Sequence, residues 1–239
     1  MTTRKNNDSE ERYKKMTENE ITEYKEIKPY RKKYDDIEPL LTKKSYYNSE
    51  TIKFFTETEF KRLLFGAENQ FNTLIFLMLY ETGARIQEIR AVKFNDIDDN
   101  NGRIKVLTLK QRSRSQIFRY LKISDKLHRL ILVHQKMNNL SDTDFVLAKK
   151  QGGQAVTKQG IDKIIKREVL KTLGRDYLDR AHPHALRHTR AIHLLDNGMN
   201  IMLLKNFLGH ANIVNTLIYL KYSNQDLINA IDRANEASA

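Results

Sequence analysis

The sequence predicts a mixed α+β fold, mainly α-helical, with one small antiparallel sheet. Three observations carry this reading. After Thr56, apolar residues recur at helical spacing in most segments. One region, from VKFNDI to IFRYLKI, changes to strand-like alternation around Asn101-Gly102. Gly and Asn then punctuate the last third closely, cutting it into several short helices.

Residues 1–50 stand apart from this pattern. They are polar, rich in charge clusters such as RKKYDDIE and short of large aliphatics, so they read as an extended or partly helical arm. The folded region is expected over residues 51–239. It opens with TETEFKRLLFGA, where Thr56 or Thr58 caps a helix with an acidic first turn and Phe60, Leu63 and Leu64 share a face. A buried helix, NTLIFLMLYETG, stops at Gly83, and ARIQEIRAV starts the next with Ile86 and Ile89 inward. VKFNDI leads to DDNNG, where Asn101-Gly102 suggests a two-residue hairpin turn; RIKVLTL and IFRYLKI flank KQRSRSQ as further strands. Ser124 and Thr157 cap the amphipathic helices SDKLHRLILVHQK and TKQGIDKIIKREVLKTLG. Four short helices follow: HALRHTRAIHLLDNG, NIMLLKNFLG, NIVNTLIYLKY and NQDLINAIDRANEA. Asn200, Asn212 and Asn224 serve as caps, Gly198 and Gly209 as stops, and Ile213, Leu217 and Ile218 as anchors of the third.

Composition narrows the function. The 239 residues, 40% hydrophobic, suit one good core. Without cysteine there is no disulfide, thiolate metal site or thiol nucleophile, which suits a reducing cytoplasm. The longest apolar run, LIFLMLY, is too short to span a bilayer, and MTTRKNNDSEERYKK lacks a signal core. The expectation is a cytoplasmic protein with no membrane partner. Net charge is +12, yet residues 1–50 carry 12 basic and 11 acidic side chains. The excess therefore lies on the folded part, as a surface for a polyanion would require.

Several segments carry unusual chemistry. In PHALRHTR, His184 and Arg187 are three apart on a helix that Pro183 helps to start, and a helix N-terminus favours an anion. His184 and His188 also have metal-pair spacing, but HALRH lacks the glutamate of the zinc-protease helix and no third ligand follows in order. No metal or other cofactor is expected, and His188 reads as a brace. Arg85 follows the Thr82-Gly83 turn with Glu88 three residues on: a solvated pair, or an inward arginine oriented for an anion. Lys110 lies between two strands, with Arg112 and Arg114 beside it as candidate contacts to backbone phosphates.

Arg85, Lys110, His184, Arg187, His210 and Tyr219 together make a sharper pattern. Through TGARIQEI, PHALRHTRAIHLLDNG and LGHANIVNTLIY, the sequence resembles the tyrosine recombinase (phage integrase) family over roughly residues 53–235. The resemblance implies that family's catalytic-domain fold and site-specific cleavage and rejoining of double-stranded DNA. Tyr219 would attack the phosphodiester and form a 3′-phosphotyrosyl bond, which keeps the ester's energy for religation. Arg85 and Arg187 would neutralise the transition state, and His210 would donate a hydrogen bond to the phosphate. His184 becomes the candidate base and Lys110 the candidate acid for the leaving 5′-oxygen, with Glu88 and His188 in support. Tyr222 is a rival nucleophile, and Lys105 and Lys122 share the hairpin with Lys110. The nine-residue step from His210 favours Tyr219.

The resemblance also implies a homotetramer on synapsed DNA and a monomer in free solution. Many members carry an N-terminal helical domain that completes a clamp around DNA. About fifty polar residues are too few for one, so a minimal or shortened recombinase is expected. Two rival readings remain: a type IB topoisomerase-like relaxing enzyme, and a non-catalytic DNA-binding protein derived from a recombinase.

Overall fold

The computed structural model describes residues 52–108 and 117–223. The arm of residues 1–50, Lys110, Arg112 and Arg114, and the helix expected from Asn224 lie outside the described residues.

Helix α1 (Glu57–Phe65) begins at a reciprocal cap. Thr56 Oγ1 accepts from Glu59 N at 3.3 Å, and Glu59 Oε2 accepts from Thr56 N at 2.8 Å. Helix α2 (Gln70–Thr82) runs through the middle of the core, with every side chain from Leu74 to Leu79 buried. An all-round apolar helix has to be enclosed on several sides, and α2 packs against three of the long helices introduced below. It ends at Gly83, whose φ of 54° is the left-handed stop expected there. Helix α3 (Ile86–Arg90) is a short continuation with Ile89 fully buried and Ile86 packed against the core.

The sheet is small and antiparallel, in the order β1 (Ile97–Asp98), β2 (Arg103–Leu107), β3 (Phe118–Lys122). Ile97 faces Ile104, and Val106 faces Arg119. The β1–β2 connection is longer than the expected two-residue turn. Asp98 pairs with Arg103, leaving residues 99–102 as the loop. The Asp98 carboxylate accepts from Asn101 N and Nδ2, which organises a four-residue loop that Gly102 closes at φ 56°. VKFNDI is mostly a 3₁₀ turn, Phe94–Asp96, before the two residues of β1.

Helix α4 (Asp125–Met137) starts at Ser124, which accepts from Leu127 N and also donates to the buried Glu81 of α2 through both N and Oγ, at 2.7 Å each. Helix α5 (Lys158–Thr172) starts at Thr157, as its sequence predicts. After a 3₁₀ segment, Arg175–Arg180, comes α6 (Pro183–Asp196), with Pro183 in its first turn and His182 as cap. Helices α4, α5 and α6 are the three that enclose α2. Helix α7 (Ile201–Leu208) runs from its Asn200 cap to Gly209, whose φ is 67°. The chain ends in α8 (Val214–Leu217) and a 3₁₀ turn, Ile218–Lys221.

That last segment departs from expectation. NIVNTLIYLKY is not one amphipathic helix anchored by Ile213, Leu217 and Ile218, which are only partly buried. Thr216 and Tyr219 are the buried residues. Three residues apart, they share one face, and polar contacts hold it inward: Thr216 Oγ1 accepts from His210 Nδ1, and the Tyr219 hydroxyl meets His188 Nδ1. Tyr219 belongs to a second, smaller apolar cluster with Ile52, Ala191, Ile192, Leu195, Leu204 and Leu208.

Candidate phosphoryl-transfer site

The site forms where two glycine-stopped helices meet the start of α6. Arg187, one turn into α6 and 2% exposed, donates from Nη1 to the carbonyl of Gly83 at 2.6 Å. Its Nη2 donates to the carbonyl of Leu208 at 2.9 Å and to His210 Nε2 at 2.8 Å. One guanidinium therefore binds the C-terminal ends of α2 and α7. Both turns are close-packed: a Cβ on Gly83 would lie 2.8 Å from the Phe207 ring. Burial lowers the Arg187 pKa to about 10, which still leaves it charged at neutral pH.

These contacts fix the state of His210. A guanidinium has no acceptor, so His210 Nε2 must accept from Arg187. The proton is then on Nδ1, which donates to the buried Thr216 Oγ1 at 2.9 Å. Burial and the neighbouring Arg187 hold its pKa down at about 3. In this arrangement His210 braces the turn, and Nε2 becomes a donor only after Arg187 releases it and the ring takes up a proton there.

Tyr219 lies against the same arginine. It is 2% exposed, it feels the Arg187 charge, and its hydroxyl stands 2.9 Å from His188 Nδ1. Which of the two donates depends on the His188 tautomer. Burial raises the Tyr219 pKa above its ordinary value and lowers that of His188 to about 3. The phenol is therefore neutral and its nearest acceptor is a weak base. His184 is one turn nearer the helix start, exposed, with its ring centroid 5.3 Å from that of His188. It lines a groove of about 560 Å³ with Arg85, Gln87, Lys158, Lys166 and His182.

Arg85 is inward-facing rather than part of a solvated pair. Its Nη1 donates to Glu88 Oε1 at 3.1 Å and its backbone N to Glu88 Oε2 at 2.9 Å, and the Glu88 side chain is fully buried. Its positive charge is felt at Arg187, His210 and Tyr219. The rival residues are occupied elsewhere. Tyr222 Oη accepts from Ile52 N at 2.9 Å; Lys122 donates to Asn101 O; and Lys105 lies over the Phe118 ring. Among the described residues, no group of three His, Asp or Glu is placed to hold a metal, and no helix is long and apolar enough to cross a membrane.

The model of the phage integrase family matches residues 53–226. The chain belongs to this family. It is 32% identical over 192 residues to the tyrosine recombinase XerC of Staphylococcus aureus, an alignment covering 76% of this chain and 62% of that protein. The chain thus spans less than two thirds of the length of the curated integrase-family relatives it matches. Among solved structures it resembles the Tn1549 transposon integrase in complex with transposon right end DNA, with TM-score 0.63 and 22% identity over 80% of this chain and 68% of that one. It also resembles the catalytic domain of bacteriophage HP1 integrase, with TM-score 0.52 and 26% identity over 76% of this chain and 95% of that one. The fold is that of a tyrosine recombinase catalytic domain: mostly helical, with a three-stranded antiparallel sheet.

Sequence reasoning missed one residue at this integrase site. Arg119 on β3 donates to Glu88 Oε2 at 2.7 Å, to Thr108 Oγ1 at 2.9 Å and to the carbonyl of Phe207 at 3.1 Å. Its signal was present in FRYLKI, where strand alternation puts Arg119 on the same face as Leu121 and Ile123, both buried.

Proposed function

We propose that this chain is a site-specific DNA recombinase that cuts and rejoins double-stranded DNA through a 3′-phosphotyrosyl intermediate. Residues 51–239 form its catalytic domain and residues 1–50 a polar arm. The observation that carries the reading is the buried Tyr219, its hydroxyl 2.9 Å from the His188 imidazole and within the field of the Arg187 guanidinium. A nucleophile near a phosphate-binding cation is what phosphoryl transfer to a tyrosine requires.

In the reaction, Tyr219 Oη bonds to the scissile phosphorus and the bond to the 5′-oxygen breaks. The phenol loses its proton, and the leaving oxygen gains one from Lys110. Arg85 and Arg187 take the charge of the non-bridging oxygens, and His210 turns its Nε2 towards the phosphate. His184, exposed in the groove, is placed to receive the phenol proton once Tyr219 turns outward. That turn is necessary, because a phosphate cannot reach an oxygen this deeply covered. Burial of the unbound nucleophile also keeps it from reacting before DNA is in place.

DNA is bound as duplex at a specific site, Arg112 and Arg114 contacting its backbone. The active assembly is a homotetramer on synapsed DNA, formed from monomers in the cytoplasm. Integrase-family membership favours strand exchange over relaxation alone, and the filled site favours an enzyme over a passive binder. A nicked suicide DNA substrate tests the proposal. The wild type should leave a denaturation-resistant protein–DNA adduct, Tyr222→Phe should keep it, and Tyr219→Phe should lose it. An adduct that survives in Tyr219→Phe and disappears in Tyr222→Phe would make Tyr222 the nucleophile and overturn the assignment to Tyr219. No adduct with any duplex would favour the binder.

A further inference from the structure

The geometry points to Arg119 as a positioning residue that sets three separate pieces of the phosphoryl-transfer site in register. This rests on the reading of the site as a strand-cleavage centre. Arg119 touches neither Tyr219 nor Arg187 in any described hydrogen bond, and its side chain is 11% exposed. Each of its three guanidinium nitrogens donates to a different segment.

Nη2 meets the Glu88 carboxylate at 2.7 Å, and that carboxylate holds both the side chain and the backbone N of Arg85. Nη1 meets Thr108 Oγ1 at 2.9 Å, at the end of β2 and two residues before Lys110. Nε meets the Phe207 carbonyl at 3.1 Å, in the last turn of α7 and three residues before His210. The planar fork thus joins the segments that carry the candidate phosphate-binding arginine and the candidate phosphate donor, and anchors both to Thr108. Only arginine has three nitrogens in one rigid plane; lysine can satisfy a single leg.

The α7–α8 turn is fitted to this group. A Cβ on Gly209 would lie 2.8 Å from Arg119 Nη1, 3.1 Å from its Cζ and 3.2 Å from Thr108 Cγ2. Gly209 thus provides the left-handed turn and also the space the guanidinium occupies. Arg119 lies 31 residues from Glu88 and 88 from Phe207 along the chain. Arg187 also ties the Gly83 and Leu208 turns together, and strand pairing holds Thr108 near Arg119; Arg119 adds the link from both to Glu88. Misplacing a reacting group by about 1 Å costs about 10²-fold in rate.

The test compares Arg119→Lys, Thr108→Val and the control Arg103→Lys on the nicked duplex. Arg103 pairs with Asp98 at 2.8 Å on the neighbouring strand. Three quantities are measured: adduct rate at saturating DNA, DNA concentration for half-maximal rate, and melting temperature. Arg119→Lys should lower the saturated rate by about 10²-fold with little change in the half-saturating concentration. Thr108→Val, nearly isosteric and cutting a single leg, should lower that rate with an unchanged melt, while Arg103→Lys cuts normally. The proposal is overturned if both site variants cut at the wild-type saturated rate, or if their loss only matches the fraction unfolded at the assay temperature. A wild type that forms no adduct, or a Tyr219→Phe variant that still does, would instead overturn the strand-cleavage reading.

Discussion

The Tyr219 hydroxyl lies 2.9 Å from His188 Nδ1, while His184, four residues earlier on the same helix, is exposed in the groove. The two histidines of HALRH therefore have different surroundings and should fail differently. His188→Ala leaves a buried phenol with one fewer partner, a cost of about 1–3 kcal/mol, or roughly 2–4 °C of melting temperature per kcal/mol in a domain this size. His184→Ala should leave the melt unchanged and slow adduct formation by about 10²-fold or more, as loss of a general base does. Thermal unfolding together with suicide-substrate kinetics would separate them. The reverse pattern would exchange their roles.

Gly209→Ala and Gly198→Ala separate contact from backbone strain. Both glycines have positive φ, 67° and 81°, so each alanine carries a left-handed penalty of about 1–2 kcal/mol. A Cβ on Gly198 meets nothing within 4 Å, whereas one on Gly209 meets the fixed Arg119 guanidinium. Gly209→Ala should lose clearly more stability in urea unfolding and also lose strand cleavage. Equal losses would mean that the turn alone matters.

Acid should weaken the fold before the carboxylates titrate. His188 and His210 are held down to about 3 by burial, against about 6.5 in an unfolded chain. Between these values the unfolded state binds more protons, so stability rises with pH there. The stability their neutral burial confers is complete above about pH 6.5 and is lost as pH falls towards 3. His134, His182 and His193 are lowered in the same direction. Urea midpoints should fall from pH 6.5 to pH 5, and a His188→Gln, His210→Gln double variant should flatten that slope. A pH-independent midpoint over this range would refute it.

Arg187→Lys keeps the charge and loses the fork. Lysine cannot reach the Gly83 carbonyl, the Leu208 carbonyl and His210 together. Adduct yield should fall by about 10²–10³-fold, the range for removing one oxyanion donor. The salt dependence of DNA affinity should barely change, because the number of cations near the phosphates is the same. A steep drop in that slope would place Arg187 in general DNA binding instead.

How much of this was legible in the sequence follows the range of each interaction. The caps at Thr56, Ser124, Thr157 and Asn200 and the stops at Gly83 and Gly209 are contacts between near neighbours, and each is where its local signal placed it. The inward turn of Arg85 was one of two open readings, because Glu88 at the right spacing serves either; only the buried surroundings decide. Arg119 was passed over as one of 42 basic residues, since every partner it has is distant in sequence. The segment ending in Tyr219 was misjudged for a different reason. Apolar counting chose Ile213, Leu217 and Ile218, whereas the buried positions are Thr216 and Tyr219, held inward by polar contacts to His210 and His188 that apolar spacing does not report.

The carbonyls that hold Arg187 have one more effect. They are neutral, as are its other partners, His210 and Tyr219. Beside it, Arg85 and Arg119 share the single carboxylate of Glu88. Among the described residues, three guanidiniums thus gather around the one carboxylate of Glu88, an excess of positive charge. A phosphodiester arrives with one negative charge and acquires a second as the nucleophile adds. On the proposed strand-cleavage reading, such a surplus suits the transition state better than the substrate at rest.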